Sequence, residues 1–531
     1  MNALAEARQF ERWFWWLMAI AAVLLLVRLG AAPIYILDEA KNAQCAREMW
    51  HNGDWIVPTF NGQLRTDKPA LHYWFMGLSY SVAGVGPAQA RFFSAVLGLA
   101  TLFVTYTQVR RYSQPSVAFF SALALVLSPH FLFEFRLSVP DPYLIFFTTA
   151  GLFAGFGFIE KGSRAALMVC AVSLGLAVLA KGPVAIALPG VVFLLYIWSQ
   201  KKWRVLWDPI LLVALVVLLA IAFPWYVLVH QQTDGAFTRG FFLEHNLDRF
   251  SSEKEGHGGP FIITPLIVLV GMLPFSLAAL HAIFSRFGYS RHPLFLFSAL
   301  VVGVYVVFFS ISSTKLPNYP MPCYPFVAIM AAYLLHDVYS KRFPLPKYLW
   351  WVWVGLGLVI PIAAFMGIRA EMAVAGYSWL AYPILLLPIG ILVAYSNKVR
   401  VIQWIMTLSA TWIFFSAFFL WVGYPLIYRQ DPVTHILNKI GEENTLVAYK
   451  AYNPAFNFNL SAPDRVIPVF ANAADLVVDA TQKKAQLAGV PYFVITRQEH
   501  LPDLEGSGFV EVVRRRDLFE LPTTVILVWR P

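Results

Sequence analysis

The chain has 531 residues, of which 59% are hydrophobic and only 13% charged, with 44 Phe and 18 Trp. A soluble chain of this length would divide into about three domains, and these charges are too few to clothe their surfaces. A disordered chain would be poor in aromatic residues. What remains is an α-helical polytopic membrane protein, whose net charge of +10 is to be read by where the charges sit. Cys45, Cys170 and Cys323 form neither a disulfide framework nor a zinc spacing.

A helical span needs about 20 mostly apolar residues. Segments that meet this lie at 13–30, 89–108, 115–134, 143–159, 165–180, 183–199, 208–229, 260–283, 293–312, 319–337, 348–367, 376–395 and 400–424, about 13 transmembrane helices. The first has no small-x-small cleavage pattern and is expected to stay as a span. Every second connection is short and basic: Arg110-Arg111, Lys161 to Arg164, Lys201 to Arg204, Arg286 to Arg291, Lys341 to Lys347, and Lys398 to Arg400. This is the pattern of cytoplasmic loops. It keeps its phase only if residues 165–199 make two spans. The N-terminus is therefore expected in the cytoplasm and the C-terminus outside, on the periplasmic side of a bacterial inner membrane.

The other loops, 31–88, 230–259 and 312–318, are expected on the outer face. Two of them are long and mix acids, bases, His and aromatics, which marks them as functional. Residues 1–428 thus read as the membrane domain. From Arg429 onward short β-prone runs appear at 445–449, 465–469, 492–496, 509–513 and 524–529, with a helical stretch near 471–488. Residues 429–531 read as a small soluble C-terminal α/β domain.

Five polar clusters fall on the expected outer face. Asp38-Glu39 follows the first span and precedes an amphipathic segment from Ala40 to Trp50. Such a pair serves as a helix N-cap or as a functional acid at the lipid boundary, where unpaired charge is costly. Next come Gly53-Asp54-Trp55, the Asn61-Gly62 turn signal, and Thr66-Asp67-Lys68-Pro69 before a helix expected from about Ala70. A cation at a helix start opposes the dipole, so Lys68 suits an anion held there. Asp141, between Pro140 and Pro142, is either a helix-entry cap or a second acid facing the cavity of Asp38. On a helix, His245 and Arg249 of Glu244-His245-x-x-x-Arg249 share one face, with His257 beyond. Finally, Ser310 to Pro320 places Lys315 and Tyr319 at the boundary, where a snorkelling lysine is the plainer alternative. Carboxylates and several cations at one lipid boundary suit an anionic lipid head group held beside a second substrate.

These residues resemble a known group. Asp38-Glu39, Gly53-Asp54-Trp55, Asn61-Gly62, Asp67-Lys68-Pro69 and Tyr73-Trp74 look like the first outer loop of the bacterial polyprenyl-phosphate sugar transferases. That group includes the 4-amino-4-deoxy-L-arabinose lipid A transferases and is related to the protein mannosyltransferases. Glu244 to Phe250 with His257, and Ser313 to Pro317 with Tyr319, Pro322 and Cys323, resemble its later motifs. The likeness covers most of residues 1–340. It implies the GT-C glycosyltransferase fold and an undecaprenyl-phosphate-linked sugar donor. Asp38 would be the principal acid, with Glu39 and Asp141 beside it. Lys68 and Arg249 would bind the donor phosphate, with Lys41, Lys315 and Tyr319 nearby. Lys41 stands where Arg is common and Asp67 where Glu is common, which bears on the identity of the sugar, because Lys lacks the bidentate fork of Arg.

The reaction then expected is inverting transfer, with fixed cations stabilising charge on the departing phosphate. Asp38 acts as general base if the acceptor is a hydroxyl, and orients the sugar if it is a lipid A phosphate. A divalent metal would sit on His257 or Asp67. No nucleotide cofactor and no nucleic acid are expected. The acceptor is lipid A or another glycolipid. Two rival readings are a protein O-mannosyltransferase-like enzyme and a lipid-linked sugar transporter or flippase; the latter predicts ionisable groups at mid-membrane depth.

Overall fold

A computed structural model describes residues 3–247, 258–284, 289–441, 444–460, 466–486 and 490–530. The first half of the chain runs α1 (Ala3–Leu26), α2 (Leu37–Asn52), α3 (Leu71–Ala83), α4 (Pro87–Tyr112), α5 (Pro115–Val126), α6 (Pro129–Glu134), α7 (Asp141–Lys161), α8 (Arg164–Lys181), α9 (Val184–Ser199) and α10 (Ile210–Gln232). Among the described residues ten helices are long and apolar enough to cross a membrane. The segment expected to span 260–283 is instead two helices, Ile263–Gly271 and Ser276–Phe284, bent by 118°. Pro274 lies in the break and denies the helix a backbone donor. Helices α5 and α9 are shorter than a full span; Ser128 ends the first by capping α6 through its hydroxyl.

Apolar side chains face both inward and outward along these helices. Phe14 stacks on Tyr106, with ring centroids 3.6 Å apart, while Trp16, Trp207 and Val216 are exposed. This is the distribution expected of a bundle whose outer surface meets lipid. The helix Tyr324–Tyr339 is buried along nearly its whole length and forms the central post.

Two arginines set the geometry of the chain after α1. Arg136 donates to the carbonyls of Leu24, Leu25, Val27 and Arg28 at 2.6–3.0 Å, satisfying the orphan carbonyls at the end of α1. Arg91 donates to the carbonyls of Leu29, Ala32 and Pro33 at 2.8–3.2 Å. The buried carbonyls of the non-helical link between α1 and α2 thus find donors in Arg91.

The Asn61-Gly62 turn makes a short hairpin, β1 (Thr59–Phe60) with β2 (Gln63–Leu64). Both turn residues have positive φ, 53° and 73°, as a type I′ turn requires. Glu48 of α2 accepts from Thr59 Oγ1, Asn61 N and Gly62 N at 2.7–3.2 Å and pins the hairpin to the helix.

Beyond Arg429, the helices Pro432–Ile440 and Ala473–Gln486 accompany a five-stranded mixed sheet. Its strands are β3 (Thr445–Tyr449), β4 (Val469–Phe470), β5 (Tyr492–Arg497), β6 (Phe509–Arg516) and β7 (Thr523–Trp529), in the order β4-β3-β5-β7-β6. The first three run parallel; β7 is antiparallel to β5 and β6. The strand expected over 465–469 shortens to Val469–Phe470, since Pro468 cannot donate to a ladder, though its carbonyl accepts from Ala448 N at 2.8 Å.

Candidate active site

The site is built where the α1–α2 link, the hairpin loop and the ends of α7 and α8 meet. Helix α2 starts at Leu37 rather than at Ala40, with Ile36 as its N-cap. Asp38 therefore lies in the first turn and caps nothing. Its carboxylate is 45% exposed and 3.6 Å from the guanidinium of Arg65, itself only 5% exposed. Although half open by area, Asp38 is deep enough among other atoms that burial is the largest influence on its carboxyl. That influence raises the pKa, but Lys68, Arg65 and Lys181 outweigh it against the opposing Asp67, so the carboxyl is held below its usual value.

Glu39, its sequence neighbour, has a different fate. It is fully buried and takes a bidentate pair from Arg91, at 2.7 and 2.8 Å, plus bonds from Ser138 N and Oγ at 3.0 and 3.2 Å. These four bonds saturate it. The expectation of a second free acid beside Asp38 is corrected: Glu39 ties α2 to α4 and to the turn before α7.

Arg65 donates through Nε to Asp67 at 3.2 Å, while both of its buried Nη atoms lack a hydrogen-bond partner. Lys68 is 9% exposed and has no hydrogen bond or ion pair with a described residue. It precedes α3, whose N-cap Ala70 offers no side-chain cap. Orphan amides, a free ammonium and a free guanidinium edge therefore converge beside Asp38, an arrangement that suits a phosphate. His72, buried in the first turn of α3, is driven well below its ordinary pKa by burial and by Arg65 and Lys68, against Asp38. It stands neutral among these cations.

Asp141 begins α7 and is buried, with one oxygen 2.5 Å from Nζ of Lys181 at the end of α8. Its other oxygen has no hydrogen-bond partner. Lys181 also lies 4.8 Å from the ring centre of Tyr319, and this brings the last motif to the site. Buried Glu134 lies within electrostatic reach of Asp141, Lys181 and Asp38. Lys315 is spent differently from expectation: its ammonium donates to the Ser312 carbonyl at 2.8 Å, closing its own turn. Lys41, three residues after Asp38 on the same helix, is half-buried.

The second outer loop meets the first at Gly240. A methyl group there would come within 2.7 Å of Thr66 Oγ1, so only glycine permits this approach. Trp225 Nε1 donates to the Ile56 carbonyl at 3.1 Å just beneath it. Arg249 and His257 lie outside the described residues. For the expected metal, Asp67 is engaged by Arg65, and among the described residues no group of three His, Cys, Asp or Glu could hold an ion. The described donors do not fit a metal centre.

Sequence reading missed Arg65, Arg91, Glu134 and Lys181. Lys181 falls between the spans expected at 165–180 and 183–199. A lysine ending an apolar helix beside Gly182-Pro183 was the one available sign.

Comparison with known proteins agrees with this architecture. Residues 67–228 match the dolichyl-phosphate-mannose-protein mannosyltransferase family. The undecaprenyl phosphate-alpha-4-amino-4-deoxy-L-arabinose arabinosyl transferase of Pseudomonas paraeruginosa is 31% identical over 332 residues, 61% of this chain and 60% of that protein. The chain thus matches about three fifths of that transferase's length. An uncharacterized protein of Aquifex aeolicus is 31% identical over 57% of this chain and 69% of its own. The crystal structure of ArnT from Cupriavidus metallidurans bound to undecaprenyl phosphate superposes with a TM-score of 0.74 at 24% identity, covering 97% of this chain and 98% of that one. The chain shares the fold of ArnT, that of a polytopic membrane protein. Over part of its length the chain is similar to the aminoarabinose transferases and to the mannosyltransferase family.

Proposed function

We propose that the protein transfers a sugar from an undecaprenyl-phosphate donor to lipid A or another glycolipid, at the outer face of a bacterial inner membrane. The observation that carries this reading is the open carboxylate of Asp38, ringed by Arg65, Lys68 and Lys181 at the mouth of the bundle. The ArnT structure with bound undecaprenyl phosphate and the aminoarabinose transferases among the relatives support the donor class.

In this reading the donor phosphate rests on Lys68, the Nη edge of Arg65 and the uncapped start of α3. The acceptor oxygen attacks the anomeric carbon from the opposite face, and the bond to phosphate breaks with inversion. Negative charge grows on the departing phosphate, where prepositioned cations lower the barrier. Asp38, kept ionised by the same cations, takes the proton of a hydroxyl acceptor or steadies positive charge on the sugar if the acceptor is a phosphate. Asp141, held by Lys181, keeps one oxygen for a sugar hydroxyl or amine. All thirteen apolar segments cross the membrane, with α5, α9 and the bent pair as short or broken spans, which puts the N-terminus in the cytoplasm and the C-terminal domain outside. The matched family's description favours a protein acceptor as the second reading.

The test supplies purified protein with undecaprenyl-phosphate-linked sugars and with lipid A, other glycolipids or peptide, and identifies products by mass spectrometry. Asp38→Asn is expected to lower turnover by a factor of about 10²–10⁴, the range for loss of a general base, while the protein stays folded. Near-normal turnover in that variant removes Asp38 from the chemistry, and a peptide product replaces the glycolipid reading.

A further inference from the structure

A cavity of about 600 Å³ with mixed polar and aromatic walls lies at the other end of the bundle. Helix α7 joins the two regions: it starts at Asp141 and ends at Lys161. At 1.5 Å per residue that is roughly 30 Å, the thickness of a bilayer core. The cavity therefore opens at the opposite membrane boundary from Asp38.

Five helix ends meet around it. Two are N-termini: α5, entered through Gln114, and the helix Pro293–Ile311, entered through His292. Both entry residues are extended, neither caps its helix with its side chain, and each helix opens with proline. Their first amides face this end of the bundle without an internal partner, and each end carries positive partial charge.

The side chains point the same way. The two acids of the cavity wall are already neutralised. Glu160 accepts from Tyr196 at 2.5 Å and Lys202 at 2.7 Å; Asp337 accepts from Tyr289 at 2.5 Å and Arg342 at 3.1 Å. Lys161 and Arg111 have no such partner among the described residues. Both lie against one ring, Tyr112, at 4.4 and 5.7 Å from its centre. Of the two, Lys161 lines the cavity, and with the nearby acids spent elsewhere it offers positive charge to an anion held there. The wall beside them is aromatic, with Phe156, Tyr333 and Phe343, which suits the glycerol and upper chain of a lipid more than a fully hydrated ion.

We infer that this cavity binds the phosphate of an anionic phospholipid in the leaflet opposite the transferase site. The ligand anchors five helix ends through one group and does not touch the donor site. The proposal is independent of the reaction assigned to Asp38.

Full-length protein in mild detergent is titrated with phosphatidylglycerol, phosphatidylcholine or inorganic phosphate, and the thermal-unfolding midpoint is followed by intrinsic fluorescence at one scan rate. Phosphatidylglycerol is expected to raise the midpoint beyond the effect of phosphatidylcholine. Lys161→Glu is expected to abolish that excess and Lys161→Arg to keep it. His292→Asp, on an exposed residue, provides a second loss variant. Equal effects of the two lipids on the unaltered protein, or an excess that survives both Lys161→Glu and His292→Asp, overturn the proposal. An inorganic phosphate effect equal to that of phosphatidylglycerol overturns the lipid assignment and makes the cavity a free-anion site.

Discussion

Replacing Glu39 by Gln should cripple the protein by a route that Asp38→Asn does not share, although the two residues are adjacent. Glu39 is fully buried and bonded twice to Arg91, which is itself 1% exposed. Gln keeps the length and one acceptor oxygen, but its N–H₂ must face a donor either way: Arg91 Nη2 in one orientation, Arg91 Nε and Ser138 N in the other. It also leaves Arg91 charged and buried with no counter-ion. Removing one partner of a buried pair costs about 3–5 kcal/mol, a large share of the 5–15 kcal/mol that holds a typical domain folded. Arg91 also bonds the carbonyls of Leu29, Ala32 and Pro33, so a shift of its guanidinium should loosen the link that places Asp38. The assay is thermal unfolding of detergent-solubilised variants, with Asp38→Asn measured beside Glu39→Gln and with Arg91→Met and the double variant closing a cycle. Glu39→Gln should unfold many degrees below the unaltered protein and Asp38→Asn close to it. The double variant should recover part of the loss, because an absent pair is cheaper than a broken one. An unchanged midpoint in Glu39→Gln, or a collapse in Asp38→Asn, refutes the division of roles between these two acids.

Other expectations concern the same region. Because Asp38 is held below its ordinary pKa, its charge and the ion-pair stability that depends on it are present above about pH 4 and vanish only as pH falls through the lowered value. The acid limb of kcat/KM should therefore not fall between pH 5 and 8. In Arg65→Met it should move upward, and a limb that stays in place shows that Arg65 does not act on Asp38. Lys68→Ala should weaken binding of undecaprenyl phosphate at least tenfold by equilibrium titration, and an unchanged affinity dissociates Lys68 from the phosphate. Gly77→Ala sets a methyl group 2.6 Å from the ring of Trp55, whose carbonyl receives Trp74 Nε1 at 2.7 Å. Overpacking of this kind costs about 1–3 kcal/mol, readable as a lowered midpoint.

The membrane class and the helical segments were legible because apolar runs are a local, additive signal. So was the turn at Asn61-Gly62, whose residues can adopt positive φ without help from the rest of the chain, though not the hairpin it joins. Lys68 was legible too, as a cation out of place before a helix. What stayed hidden depends on long-range pairing. Asp38 and Glu39 look alike in sequence, and only Arg91, 52 positions from Glu39, separates an open acid from a sealed one. Lys181 reaches Asp141 across 40 positions, and no spacing rule links them. The broken helix pair at 263–284 also read as one span, because hydropathy averages over a proline that the backbone cannot ignore.

One contact set bears on the order in which the molecule comes together. Arg47 of α2 donates to the carbonyls of Phe458 and Leu460 at 3.1 and 3.0 Å. Asn61 is bonded to Asn457 and Ile467, and Tyr35 accepts from Leu518 N at 3.0 Å. Each of these joins is some four hundred or more positions long. The segment that carries Asp38 is therefore made early in synthesis and waits for most of the chain before it gains these partners. At a translation rate of roughly 5–20 residues per second that wait is tens of seconds. The framework around Asp38 closes only after the C-terminal segment has arrived, and it stays unfinished while the nascent chain is still being threaded into lipid.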